Sequence, residues 1–246
     1  MPVCCITYEN LSWSAWKKCL WNDDVAVFRF FCPDWAATEP DWPKWVQPDE
    51  RARAQRYRRQ EDQFRSLYAR SLLRVLLGNY LNQHPLAIRL TTGIANKPEL
   101  AGDPEWQFNV AHSGNWILLA ISRDSVGIDV EALKPDFPFR DVMPFGFNAQ
   151  EQQYIDLAEP SRSCFYDLWT RKEALAKATA LGIYADFTNI PSLPGVYGAT
   201  ANRMGADSSW TVGGFMVADG YPGAVAYQRV GAAPRFYTLD AGLYDQ

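Results

Sequence analysis

Hydrophobic and polar residues alternate along this chain with two periods, one typical of strands and one typical of helices. The two-residue period and short apolar runs predict strands at 25–31, 86–91, 107–111, 116–122, 126–131, 187–196, 210–218 and 222–230. Spacings of three and four predict helices at 48–81 with a break near 58–61, at 148–157 and at 161–181. Residues 1–24, 33–48 and 132–147 are predicted to be irregular, and the last dozen residues carry no clear pattern.

A weak internal repeat predicts that the chain is built from two similar halves. Short motifs recur in the same order about 100 positions apart. They pair 25–28 with 126–129, 64–70 with 165–171, and 108–111 with 215–218. We therefore expect an α+β fold of two halves, residues 1–123 and 124–246, related by pseudo-twofold symmetry with a ligand cleft between them.

Composition places the chain among ordinary globular proteins and excludes several classes. It has 246 residues, 48% of them hydrophobic, and a net charge of −4. Its five cysteines form no CxxC pair, so neither a disulfide framework nor a zinc cluster is indicated. The longest apolar run has six residues and no signal peptide is evident, so we expect a cytoplasmic protein that neither spans nor binds a membrane.

Positive charge is concentrated in one predicted helical region. Eight arginines fall between positions 51 and 74: Arg51, Arg53, Arg56, Arg58, Arg59, Arg65, Arg70 and Arg74. This run is either the solvated face of a helix or an anion-binding surface in which one or two arginines contact phosphate. A nucleic-acid module is disfavoured, because the whole chain is acidic and no aromatic residues alternate with these arginines.

Two carboxylates, Asp129 and Glu131, alternate within a run of β-branched residues, so a strand would place both on one face. Such a pair indicates either a divalent cation or a solvated edge strand, and the strand alone does not decide between them. Glu173 and Lys177 lie four residues apart in the helix predicted at 161–181. They are either a surface ion pair or a third metal carboxylate with a phosphate-binding lysine.

Further polar candidates precede these carboxylates. His112 follows a predicted strand in a Ser/Gly corner, where it is either a structural turn histidine or an anion ligand. Lys97, before Pro98, lies in a predicted turn and would ordinarily be solvated.

Four motifs in this order resemble those of the Sfp-type 4′-phosphopantetheinyl transferases. They are Asn-Lys-Pro at 96–98, Phe-Asn-Val-Ala-His-Ser-Gly at 108–114, Val-Gly-Ile-Asp-Val-Glu at 126–131 and Trp-Thr-Arg-Lys-Glu-Ala-Leu-Ala-Lys at 169–177. Together with the arginine-rich region, the resemblance extends from about residue 47 to 183. Each motif alone is weak, whereas four in sequence are specific.

The resemblance implies an enzyme that moves the phosphopantetheine arm of coenzyme A onto a serine of an acyl or peptidyl carrier protein, with Mg²⁺ or Mn²⁺ as the metal. It implies that the metal is held by Asp129, Glu131 and Glu173, and that Glu131, Glu173 and Lys177 are catalytic. Coenzyme A would be bound by Lys97 and Pro98 on its adenine side and by Arg53 and Ser66 at its 3′-phosphate. His112 and Lys177 would bind its phosphates, and Ser113 belongs to the same binding set. The chain departs from the family pattern at Ala111, where a serine or threonine is common.

Two points stay open at this level. The proton acceptor for the serine is either Glu131 or a metal-bound water. A non-catalytic coenzyme A-binding protein is the alternative to the transferase, and an unrelated metal-dependent phosphoesterase is a more distant one. We expect a monomer with no nucleic-acid partner.

Overall fold

The computed structural model describes residues 2–16, 25–32, 44–93, 97–103, 105–180, 186–198, 209–228 and 233–240. Within these ranges the strands are β1 Pro2–Thr7, β2 Ser14–Ala15, β3 Val25–Phe31, β4 Leu90–Thr92, β5 Pro98–Leu100, β6 Gln107–Ser113, β7 Trp116–Ser122, β8 Val126–Val130, β9 Gly195–Gly198, β10 Trp210–Ala218, β11 Tyr221–Gln228 and β12 Arg235–Leu239. The α-helices are α1 Pro48–Ala54, α2 Gln60–Leu81, α3 Phe139–Gly146, α4 Ala149–Leu157 and α5 Ser161–Ala178.

Two five-stranded sheets form the framework, which confirms the predicted α+β fold with two sheet-rich halves. One sheet has the strand order β8-β11-β10-β1-β9, and the other has the order β2-β12-β3-β7-β6. The short strands β4 and β5 pair separately. None of the helices in the described ranges is long and apolar enough to cross a membrane.

The internal repeat is visible in the pairing of the strands. In one sheet β3, β7 and β6 form an antiparallel series, and in the other β8, β11 and β10 form a series with the same order along the chain. Helix α2 packs on the first series and α5 on the second. The three sequence matches fall on corresponding elements: β3 with β8, α2 with α5, and β6 with β10.

Each sheet also contains a strand from the opposite end of the chain. β1 pairs in parallel with β10, with Val3 opposite Trp210, and β12 pairs in parallel with β3. Residues 1–24 were predicted to be irregular, and for β1 this is wrong. Six residues with two cysteines give a weak strand pattern, and the strand is stabilised by partners some 200 positions away. The division at 123/124 stays a prediction, with the terminal strands exchanged across it.

The two sheets pack on each other through residues such as Val27 and Ile128, and each helix covers the opposite face of its own sheet with buried side chains. Leu72 and Leu76 of α2 meet Phe28 and Leu119 of the second sheet, all unexposed. Burying each of these leucines contributes about 1.5–3 kcal/mol. On the other side, α5 presents mainly alanines to β11, so this helix lies closer to its sheet.

Helix ends follow the sequence signals where a cap is present. Asn148 accepts from the N–H groups of Gln150 and Glu151, and the side chain of Glu151 accepts from the Asn148 N–H, so α4 begins where predicted. The predicted break in the long helix separates α1 from α2. Helix α5 ends at Ala178 and residues 179–180 form a turn, so the helix ends before the predicted end at 181–182.

Two predicted strands are largely wrong. The 86–91 stretch begins with a 3₁₀ turn at Pro85–Ala87, and only β4 at its end is extended. The 187–196 stretch begins with a 3₁₀ turn at Phe187–Asn189, where Asp186 accepts from the Thr188 N–H. In both places a proline or a side-chain hydrogen bond stabilises the local turn, and this outweighs the strand preference of the apolar residues. The connection predicted to be irregular also contains α3.

Candidate active site

The site begins where helix α5 lies directly on strand β8. A Cβ at Gly127 would lie 2.1 Å from the carbonyl oxygen of Ala174 and 2.4 Å from the backbone nitrogen of Ala178. Glycine is therefore needed at position 127 for the helix to approach this closely. The close approach brings Lys177 of α5 to Asp129 of β8.

Asp129 is a buried carboxylate held by one cation. Only 4% of the residue is exposed, and its Oδ1 accepts from the Nζ of Lys177 across 2.6 Å. Its Oδ2 is buried without a hydrogen-bond partner. Since an unpaired buried oxygen is costly, this atom is a place where a further positive ligand would be stabilised. The solvated-edge interpretation of β8 is wrong.

Three carboxylates share the charge of Lys177. Burial lowers the pKa of Lys177, but Asp129, Glu173 and Glu131 together outweigh burial and raise it above its ordinary value. Burial, and then the Asp129 carboxylate, raise the pKa of Glu173, while Lys177 opposes them. Burial also raises the pKa of Asp129. The cluster carries more negative than positive charge, so each acid is easier to protonate and the lysine stays charged.

Glu131 is oriented by the opposite half of the molecule. Its Oε2 accepts from the Ser113 hydroxyl at 3.0 Å, and the same hydroxyl oxygen accepts from the Ala132 N–H at 3.0 Å. Burial, followed by the charge of Asp129, raises the pKa of Glu131 to about 6, and the Ser113 hydrogen bond opposes the rise. Ser113 was predicted to bind coenzyme A. In the structure its hydroxyl bonds to the Glu131 carboxylate.

The acids suit a hard divalent cation in their chemistry, though they do not form a complete cage in this structure. Oxygen ligands and an unsatisfied carboxylate oxygen at Asp129 fit Mg²⁺ or Mn²⁺. No three histidine, cysteine, aspartate or glutamate side chains in the described ranges are grouped so that they could hold a metal ion. Metal binding by Asp129, Glu131 and Glu173 therefore stays a prediction.

His112 lies at the end of β6, one strand position before Ser113. Burial, then Arg65, then Lys177 lower the pKa of His112, so the imidazole is neutral near pH 7. Arg65 also donates from Nη1 to the carbonyl oxygen of Gly114 at 2.6 Å. Gly114 has a φ of +53° and lies against Tyr221, so a side chain there would be strained and would clash.

A cavity of about 180 Å³ lies between α2 and β6, with His112 in its wall and none of the three carboxylates among its lining residues. Three residues predicted to bind coenzyme A line it: Ser66, Pro98 and His112. The rest of its wall is formed by Tyr57, Ala69, Arg70, Phe108, Asn109 and Val110.

The other four predicted coenzyme A residues lie outside this wall: Ser113 and Lys177, described above, and Lys97 and Arg53. Lys97 donates to the carbonyl oxygen of Val126 at 3.0 Å, and burial lowers its pKa to about 8 against the opposing charge of Glu99. Arg53 is exposed on α1, where its charge lowers the pKa of Arg70.

Comparison with known proteins covers both halves of this site. Residues 125–226 match the 4′-phosphopantetheinyl transferase superfamily, and residues 33–124 match the family described as 4′-phosphopantetheinyl transferase, N-terminal. A 4′-phosphopantetheinyl transferase of Nostoc sp., HetI, is 30% identical over 170 residues, which are 67% of this chain and 72% of the relative. The chain belongs to the Sfp-type 4′-phosphopantetheinyl transferase family.

Other members of the family match over a shorter part of their length. A putative 4′-phosphopantetheinyl transferase of Synechocystis sp. is 36% identical over 160 residues, covering 63% of this chain and 65% of the relative. The 4′-phosphopantetheinyl transferase Sfp of Bacillus subtilis is 29% identical over 143 residues, covering 56% and 62%. The chain thus spans somewhat less than two thirds of these two relatives.

Two buried cations support the candidate site from behind. Lys172 is unexposed and pairs with Glu151 at 2.8 Å, while Arg171 pairs with Asp167 at 2.9 Å. Lys172 also donates to the carbonyl oxygens of Phe187 and Ile190. These contacts fix the back of α5, so that Glu173 and Lys177 face β8. The family motif at 169–177 therefore contains structural charges beside the candidate catalytic ones.

Asn109 has no role predicted from sequence, although it lies in the family motif at 108–114. Its Oδ1 accepts from the Ile128 N–H at 2.9 Å, which joins β6 to β8 between the two sheets. An amide side chain between Phe108 and Val110 in a predicted strand was the sequence signal that could have identified it.

Proposed function

We propose that this chain transfers the 4′-phosphopantetheine group of coenzyme A to a serine of an acyl or peptidyl carrier protein and releases adenosine 3′,5′-bisphosphate. The observation that carries the proposal is the cluster of Asp129, Glu131, Glu173 and Lys177, which lies beside His112 and the cavity between α2 and β6. Family membership supports the same reaction.

The chemistry requires one bond to form and one to break. The carrier serine oxygen bonds to the phosphorus next to the pantetheine, and the bond from that phosphorus to the oxygen shared with the adenosine phosphate breaks. Glu131, which the Ser113 hydroxyl orients, would accept the serine proton. Lys177 and neutral His112 donate to phosphate oxygens and stabilise the leaving group.

Asp129, Glu131 and Glu173 would hold Mg²⁺ or Mn²⁺, with Lys177 moving from Asp129 to phosphate. The metal, when bound, supplies charge neutralisation to the diphosphate. A cytoplasmic location is part of the proposal, supported by free thiols at Cys4, Cys5, Cys32 and Cys164. A monomer is also part of it, because the internal duplication provides two halves within one chain.

Intact mass spectrometry of a carrier protein tests the function. An apo carrier incubated with this protein, coenzyme A and Mg²⁺ should gain about 340 Da on one serine, and EDTA should prevent the gain. Asp129→Asn should also prevent it. If several carriers gain no mass while coenzyme A still binds, the chain is a non-catalytic coenzyme A-binding protein.

A further inference from the structure

The turn between β6 and β7 connects helix α2 to the carboxylate cluster. On one side, the carbonyl oxygen of Gly114 accepts from the Nη1 of Arg65 in α2 at 2.6 Å. On the other side, the hydroxyl of Ser113 donates to the Oε2 of Glu131 at 3.0 Å. Since Ser113 and Gly114 are consecutive, a displacement of one is transmitted to the other through the backbone. Arg65 is thus joined to Glu131 through two hydrogen bonds and one stretch of main chain.

The guanidinium of Arg65 is held in a fixed orientation. Its Nη2 donates to the Oδ1 of Asp62 at 2.5 Å, three residues earlier in the chain, while Nη1 reaches Gly114. The side chain is only 16% exposed. Its Nε is buried and has no hydrogen-bond partner among the residues that the structure describes, which costs free energy. An arginine in this position therefore needs a reason beyond packing, and the bridge to Gly114 supplies one.

The turn is sensitive to this contact because it fits closely against the other half of the molecule. Gly114 has a φ of +53°, and a Cβ at this position would lie 2.5 Å from the hydroxyl oxygen of Tyr221. A second anchor holds the next residue, since the carbonyl oxygen of Asn115 accepts from the Cys32 N–H at 2.7 Å. Loss of the Arg65 contact should therefore shift the turn without detaching it from β3.

Resting on the proposed function, we propose that Arg65 is a positioning residue that holds the turn at Gly114 so that the Ser113 hydroxyl orients the Glu131 carboxylate. The next residue of α2, Ser66, lines the cavity beside His112. The helix that forms one wall of this cavity therefore also sets the orientation of the carboxylate that accepts the serine proton.

The Arg65→Lys variant separates the hydrogen bond from the charge. The charge of Arg65 is the second cause, after burial, of the lowered pKa of His112, and a lysine keeps that charge. A lysine has one terminal nitrogen and cannot bridge Asp62 and Gly114 in two fixed directions. We expect kcat to fall about 3- to 10-fold, which corresponds to the loss of one hydrogen bond. The dissociation constant of coenzyme A should stay within about twofold of the wild-type value.

A double-mutant cycle with Ser113→Ala tests whether Arg65 acts through Ser113. In the wild type, Ser113→Ala should lower kcat about 10-fold. In the Arg65→Lys background it should lower kcat by less than about twofold, because the contact that it removes is already displaced. Urea denaturation of the same four proteins needs no turnover, and the midpoint shift of the double variant should be smaller than the sum of the two single shifts.

The matched control is Arg123→Lys, which alters an exposed ion pair with Glu105 and should leave both kcat and the urea midpoint unchanged. Equal effects of Ser113→Ala in both backgrounds would overturn the proposal. Full activity of Arg65→Lys would also overturn it, because the charge beside His112 would then be sufficient. A loss of coenzyme A affinity as large as the loss of kcat would make Arg65 a binding residue instead.

The two readouts distinguish this proposal from the proposed function. If the wild type modifies no carrier but the urea midpoint shifts are not additive, the proposed function fails and the connection from Arg65 to Ser113 stands. If the wild type is an active transferase and the effects on both kcat and the midpoint are additive, the role of Arg65 fails and the function stands.

Discussion

Lys177 donates to Asp129 across 2.6 Å, and this contact joins the helix of the C-terminal half to the edge strand that faces the other half. The lysine side chain is 32% exposed, whereas that of the aspartate is 6% exposed. The ion pair therefore stabilises chiefly the buried Asp129 carboxylate, because Lys177 can also be hydrated. Substrate phosphate can reach the lysine from solvent without unfolding the site.

Removal of Lys177 should therefore destabilise the protein through Asp129. Lys177→Met leaves the carboxylate buried without a cation, which we expect to cost about 2–4 kcal/mol of unfolding free energy, below the upper range for fully buried pairs because the lysine is partly exposed. Urea denaturation measures it. The double variant Asp129→Asn/Lys177→Met should recover most of the stability but no transferase activity. Equal stability of the single and double variants would contradict the coupling.

Gly127 should tolerate no side chain. A methyl group at this position meets the backbone of α5 at Ala174 and Ala178, so Gly127→Ala must move the helix away from β8. We expect a loss of about 1–3 kcal/mol in unfolding free energy and a large loss of activity, since Lys177 moves with the helix. The control is Gly198→Ala in β9, where a Cβ meets nothing within 4 Å. Similar losses in both variants would remove the packing explanation.

Ser113 should act on turnover and hardly on coenzyme A affinity. Its hydroxyl bonds to Glu131 and to the Ala132 N–H, so Ser113→Ala frees the carboxylate that we propose accepts the serine proton. We expect kcat to fall about 10-fold, a typical effect of losing an orienting hydrogen bond near the reacting groups. The coenzyme A dissociation constant should stay within about twofold. Ser113→Thr should recover part of kcat. A selective loss of coenzyme A affinity would instead restore the role predicted from sequence.

The sequence predicted the parts of this site that follow from local patterns. Asp129 and Glu131 alternate on one strand, and Glu173 and Lys177 share a helix face, so their relative placement within each element follows from strand and helix periods. The contacts between different elements do not follow from these periods. Asn109 reaches Ile128, and Ser113 reaches Glu131, only after two sheets from different parts of the chain have met.

The burial of some charged side chains was likewise hard to predict. Lys172 and Arg74 have charged side chains that composition places on the surface, and both are buried in ion pairs with distant glutamates. Strand β1 was missed for the same reason: it is extended because it pairs with β10, and its own sequence pattern is weak. These features depend on tertiary contacts, which local periodicity does not contain.

The buried ion pair Lys172–Glu151 should contribute much more to the free energy of unfolding than the exposed pair Arg123–Glu105. Lys172→Met leaves Glu151 buried beside Ser192 with an unpaired charge, and we expect a loss of about 3–5 kcal/mol. Arg123→Gln breaks a pair with Glu105 whose side chains are 49% and 74% exposed, and should cost about 0–1 kcal/mol. Urea denaturation of both variants at one salt concentration compares them. A loss in Lys172→Met no larger than that in Arg123→Gln would contradict the buried network.

Lys97 should make stability depend on alkaline pH. Its pKa is lowered from 10.5 to about 8 in the folded protein, so the folded state binds fewer protons than the unfolded state between these values. Stability contributed by this group therefore increases as pH rises from about 8 to about 10.5. The wild type should gain up to about 3 kcal/mol relative to Lys97→Gln over that interval. Urea denaturation of both proteins at pH 7 and pH 10 measures the difference, in which the other titrating groups cancel. A constant difference would show that Lys97 is solvated.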